Sequence, residues 1–198
     1  MNFRLLVALF IFTLPLSMPL LGQEKEEKKE SIEAGASKHE EFKPHSAIGL
    51  VLSHANVFNG RGDNGKKQVL SLAAWGIDYN YHISSKWAIG LHTDIIVESF
   101  KVESQNEGEI ERSYPIAPAL MGIYKPNHHW SLMAGAGAEF AKEKDFFLTR
   151  LGVEYGAEIR NGWEVFGSLS YDIKWNGYDS WVLGFGISKA FGGNHKNE

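Results

Sequence analysis

The chain has 198 residues, 21 of them glycine and six tryptophan, with no cysteine and a formal net charge of -4. The missing cysteine excludes a disulfide framework, cysteine-ligated metals and a lipid-modified amino-terminal cysteine, and the acidic balance argues against a nucleic-acid partner. A helical protein is also disfavoured, because glycine in a helix interior costs about 1 kcal/mol relative to alanine.

The first stretch, "MNFRLLVALFIFTLPLSMPLLGQ", has a short amino-terminal region with Arg4 and an apolar run from Leu5 to Leu21. Pro15 and Pro19 interrupt that run, so residues 1–22 read as an export signal rather than a spanning helix. Residues 23–44 are dense in mixed charge and cannot bury enough apolar surface to offset their ordering entropy. They are expected to form a flexible periplasmic tail. Residues 194–198 form a second, short tail.

Between them, residues 45–193 alternate with a period of two, the signature of β-strands with unlike faces. Eight strands are expected, at about 46–58, 68–82, 87–102, 114–124, 130–142, 146–160, 163–175 and 180–191. Short polar turns join them at one end: "ISSK", "KPNHH" and "RNG", the last a three-residue hairpin loop with Gly162 in the left-handed region. Two longer connections, "NGRGDNGKK" and "ESQNEGEIERS", lie at the other end.

The two faces differ in kind. In "WEVFGSLSYDIKW" one register is Trp163, Val165, Gly167, Leu169, Tyr171, Ile173 and Trp175; the other is Glu164, Phe166, Ser168, Ser170, Asp172 and Lys174. Other strands repeat this, with glycine mixed among charges on the second face. Glycine on a solvated strand packs nothing, but inside a narrow barrel it makes room for Arg, Glu and His. Aromatic residues gather at both strand ends, as they do at membrane interfaces. The pattern predicts an all-β, antiparallel up-and-down transmembrane β-barrel of about eight strands.

From His45 to Phe191, the repeated "GVEYGAEI", "SLSYDIKW" and "GFGISKAFG" resemble the small eight-stranded outer-membrane β-barrel proteins, especially those of Bacteroidetes type. The resemblance implies export to the cell outer membrane of a Gram-negative envelope. It implies a monomer in contact with outer-membrane lipid and lipopolysaccharide. It leaves open which role the barrel plays, since such families include structural barrels, adhesins and lipid-modifying enzymes.

Asp78, His82, His92, Asp94, Glu98, Glu139, Arg150, Glu154, Glu158, Asp172 and Lys174 all fall in the inward register. Hairpin geometry sets Asp78 opposite His92 and Arg150 opposite Asp172. Unpaired buried charge is costly, so a paired interior network is expected among Asp78, His92, Asp94, Glu98, Arg150, Glu154, Asp172 and Lys174. Arg150 is expected to be held by Asp172, Glu154 or both. No metal or cofactor is expected, although His82, His92, Asp94 and Glu98 are the residues whose spacing would suit one. No catalytic residue is expected either. The one candidate is His54, because lipid A deacylases are similar small barrels that use a rim His-Ser pair. Their His-x-Ser-Asn pattern is broken here, where Ala55 and Asn56 follow His54. The expected role is structural or interactive within the envelope, around a packed polar interior. The alternatives are a lipid-active hydrolase and a narrow pore for ions or small solutes. The sequence names no surface-loop partner.

Overall fold

The computed structural model describes residues 42–62, 65–104 and 108–192. The expected export signal, all but the last three residues of the expected charged tail, and residues 193–198 lie outside them. Ten strands form: β1 (His45–Arg61), β2 (Lys67–His82), β3 (Trp87–Ile96), β4 (Ser99–Ser104), β5 (Gly108–Ser113), β6 (Ile116–Tyr124), β7 (Trp130–Glu139), β8 (Phe146–Arg160), β9 (Trp163–Lys174) and β10 (Asp179–Phe191). Eight of them run β10-β9-β8-β7-β6-β3-β2-β1, and β1 pairs with β10 to close an antiparallel barrel.

The remaining two, β4 and β5, correct the expected third strand. Residues 87–102 are not one strand: β3 ends at Ile96, where the Val97 amide donates to the Ala73 carbonyl. The chain then crosses the barrel mouth, and β4 pairs with the far end of β1 through Gly60↔Val102 and Arg61↔Lys101. β5 returns antiparallel beside β4. The pair therefore lies over the mouth as a lid, with Phe100, Val102 and Arg112 buried beneath it. The lid closes on an apolar cluster that includes Val57, Leu72, Phe146, Tyr178 and Val182.

At the opposite end the turns are short, as the sequence suggests, but the third is tighter than expected. Arg160 pairs with Trp163, and Asn161 (φ 53) and Gly162 (φ 72) both take positive φ. That is the two-residue type I′ hairpin, whose twist matches the strands it joins.

The inner face is narrow, and glycines set where bulky side chains fit. A Cβ at Gly186 would collide with Phe166 Cζ, whose ring also lies 3.6 Å from the place a Gly49 Cβ would take. The outer face is apolar around the whole barrel. Leu52 (76% exposed), Leu120 (67%) and Phe185 (66%) stand fully outward, between rings of aromatics. Tyr81, Trp87, Trp130, Tyr155 and Trp163 circle the short-turn end, and Tyr114, Phe140, Phe147 and Trp175 the other. Trp163 to Trp175 climb about 30 Å, at about 3.3 Å per residue and a tilt of about 40°.

Leu169 is exposed on this outer face, while Ser170 points inward. Leu169→Arg is therefore expected to cost about 2–4 kcal/mol of folding stability in bilayers, and Ser170→Ala very little. Urea titration of both variants in lipid vesicles checks this, and equal tolerance would contradict the assignment of faces.

Candidate functional site

Strand register delivers the charged side chains to the barrel interior. Arg150 on β8 faces Asp172 on β9, and Asp78 on β2 faces His92 on β3. Arg150 donates to Asp172 in bidentate fashion, through Nε at 2.7 Å and a terminal nitrogen at 2.8 Å. A terminal nitrogen also reaches Asp94 Oδ2 at 2.7 Å, so one guanidinium spans the interior from β8 to β9 and β3. Planar bidentate geometry makes this pair both strong and directional. Arg150 and Asp172 are nearly wholly buried.

The network continues toward the mouth. Lys174 Nζ donates to Ser180 Oγ at 2.7 Å and lies 3.7 Å from Asp172 and 3.5 Å from Glu139. Glu139 accepts from Arg112 (2.6 Å) and from the Tyr178 hydroxyl (2.7 Å). Arg112 also donates to the Lys144 carbonyl. Asp94, Arg150, Asp172, Lys174, Glu139 and Arg112 thus form one ribbon of alternating charge, three acids against three bases. It ties the lid to the barrel floor beneath it. Charges buried this way are tolerable because each is met by an opposite one.

Outside the spanning strands, two loop carboxyls add to the fastening. Hydrogen bonding from Lys67 holds the Glu103 carboxyl below its usual range, and the Ser113 hydroxyl does the same for Glu143. Glu103 also takes a 2.6 Å contact from Arg61.

The other expected site residues are placed as follows. His92 Nε2 meets Asn80 Oδ1 at 2.9 Å, and its Nδ1 lies 3.6 Å from Asp78. A Cβ at Gly90 would strike that Asn80 oxygen, so glycine there keeps the contact open. Glu154 lines the interior but belongs to a separate region below Arg150, whose partners are Asp172 and Asp94 instead. Glu98 is not inside at all. It is exposed where β3 has ended, and its carboxylate accepts from the Ala73 amide at 3.1 Å. The four residues whose spacing suited a metal do not converge: His82 stacks on His45 at the short-turn end, with ring centroids 4.5 Å apart. Among the described residues no three His, Asp or Glu side chains form a metal-holding group. His54 stands on the outer face between Leu183 and Ala73, whereas Ser53 points inward and Ser99 opens β4. Adjacent strand residues face opposite ways, so Ser53 and His54 form no nucleophile–base pair.

Sequence reasoning missed Arg112, which sits in a stretch that reads as a polar loop. Glu139 was legible, because it continues the inward parity of Ser131 and Met133.

No protein-family model matches the sequence, and no curated protein matches it. Among solved structures, the outer membrane protein OprG of Pseudomonas aeruginosa aligns with a TM-score of 0.50 at 14% identity, covering 75% of this chain and 95% of that one. The amino-terminal β-barrel domain of OprF from the same organism aligns at 0.47 and 11% identity, covering 75% and 100%. The attachment invasion locus protein Ail of Yersinia pestis aligns at 0.46 and 12% identity, covering 76% and 99%. The likeness to OprG is one of fold: a closed eight-stranded antiparallel barrel of the outer-membrane type.

Removing Arg150 alone leaves two carboxylates facing each other without their shared cation. Arg150→Ala is expected to cost about 3–5 kcal/mol. The double change Arg150→Ala with Asp172→Ala should cost less than the two singles added, as directly coupled residues do. Denaturant titration of the four proteins in detergent checks the cycle. Strict additivity would mean that the two side chains do not interact.

Proposed function

We propose that this chain is an integral outer-membrane barrel, exported through its amino-terminal segment, with a structural or interaction role in the cell envelope. The observation that carries this reading is the predominantly apolar exterior between two aromatic rings. Monomeric soluble proteins rarely expose apolar patches beyond a few hundred Å². A belt about 30 Å high matches the hydrocarbon core of a bilayer. The surroundings that suit such a face are outer-membrane lipid and lipopolysaccharide. Lys189 adds to this. It stands over the Trp163 ring at 5.3 Å, where a cation can reach lipid headgroups from an apolar stem.

Two observations weigh against the other roles the sequence leaves open. A pore would need a continuous water path, yet Arg150 bridges the interior and the lid covers one mouth. A lipid hydrolase would need a nucleophile beside His54, and the strand turns Ser53 away from it. The part that varies most from a plain barrel is the lid, so the interaction role is assigned to the β4–β5 hairpin and the β1–β2 arm beside it.

Fractionation and deletion test this together. The protein should appear in the outer-membrane fraction as a heat-modifiable band. Envelopes lacking it should keep their lipid acyl composition while becoming more sensitive to detergent. A soluble periplasmic protein would overturn the membrane reading, and altered acyl chains on deletion would put the hydrolase first.

A further inference from the structure

The charged ribbon is neutral within itself, three acids against three bases, and further acids lie below it. Three carboxylates lie there: Asp78, Glu154 and Glu164. They line a small cavity of about 20 Å³, and the one Lys or Arg lining it is Lys125, at its lower end. Asp78 and Glu154 also line a second cavity, of about 30 Å³, immediately beneath Arg150. Each exceeds the roughly 10–15 Å³ that a single water-sized occupant requires. Below them a vestibule of about 500 Å³ opens at the short-turn end and shares His82, Lys125 and Glu164 with the lower cavity. The upper and lower cavities share Asp78, Met133 and Glu154, and Arg150 lines the upper one.

A second observation points to an occupant. The Ser53 hydroxyl lines the upper cavity, 94% of the residue being buried on the reckoning of its 6% exposure, and has no hydrogen-bond partner. A buried hydroxyl left so is costly. Ser168 lines the same space, and its register neighbour across the strand pair is Glu154. Two carboxylates and two hydroxyls therefore line a space one ion or one water wide, in a region with more acids than bases.

We infer that the upper cavity binds a small monovalent cation, sodium or potassium, held by Asp78, Glu154 and the hydroxyls of Ser53 and Ser168. The donor set is hard oxygen, which excludes soft metals. The other charged or titratable groups lining the upper cavity are His92, Asp94 and Arg150; the lower cavity adds His82, Lys125 and Glu164, and the vestibule His45, His128, His129 and Glu158. Asp94 and Arg150 are engaged with each other, and His92 with Asn80. The inference rests on the barrel's interior and not on its proposed envelope role, so each can fail alone.

The test uses the full chain in detergent micelles, reading the temperature of its heat-modifiable gel shift. Sodium chloride is exchanged for N-methylglucamine chloride at constant ionic strength and pH. Loss of sodium should lower the transition by about 5–10 °C, the stabilisation expected of a ligand present well above its Kd. Glu154→Gln should abolish the sodium dependence, and Glu103→Gln on the outer loops should leave it intact. Should Glu154→Gln fail to fold, Ser53→Ala removes one neutral ligand and should shrink the dependence. A transition indifferent to sodium and potassium but rising as pH falls would mean that the carboxylates carry protons instead, overturning the inference. A sodium effect that survives both Glu154→Gln and Ser53→Ala would overturn it equally.

Discussion

The narrowness of an eight-stranded barrel governs everything else in this molecule. Once β1 pairs with β10, the interior is only wide enough for side chains, and each inward residue must fit against residues from the opposite wall. Glycine is the means of fitting: Gly186 and Gly49 leave the volume that Phe166 occupies. Polarity follows from the same constraint. The outward face has to be apolar, so charge is relegated to the interior, where toward the covered mouth it stands in opposed pairs.

The interior consequently has two regimes. Toward the covered mouth, six alternating charges bind strand to strand and reach the lid through Arg112, which joins Glu139 of β7 to the Lys144 carbonyl of the β7–β8 loop. Arg112 belongs to the hairpin and Glu139 to the wall, so one ion pair couples the seating of the lid to the packing of the barrel. Toward the short-turn end, acids outnumber bases and small cavities persist. The asymmetry gives the two ends of the barrel different chemistry: a fastened, charged covered mouth and an acidic recess toward the short turns.

Most of the barrel was legible because its signal is local and binary. A strand with one face in lipid and one in a crowded interior must alternate, and the pairs Asp78–His92 and Arg150–Asp172 follow from hairpin register alone. The lid was not, because its strands lie over a mouth rather than in the wall. A trace of it is present all the same: Trp87, Ile89, Leu91, Ile95 and Val97 stand at odd positions, whereas Phe100 and Val102, where the chain leaves the wall, stand at even ones. Glu98 was misread as inward because that change of phase begins beside it. The partners of Arg150 were half legible. Asp172 is its register neighbour, whereas Asp94 reaches it across the lumen, a relation that strand pairing does not encode. For the same reason Arg112 could not be matched to Glu139, 27 residues away and on no common ladder.

The central claim is that one strand register faces lipid and the other a packed interior. The chain has no native cysteine, so single cysteines can carry nitroxide spin labels without a background. Labels at Leu50→Cys, Leu120→Cys and Leu183→Cys, and at the inward Ser168→Cys and Ser170→Cys, would be compared in lipid vesicles by their collision rates with oxygen and with a water-soluble nickel chelate. The account predicts that the three outward labels collide with oxygen and not with nickel, and that the two inward labels are shielded from both. Nickel reaching the outward labels, with oxygen favouring the inward ones, would contradict it.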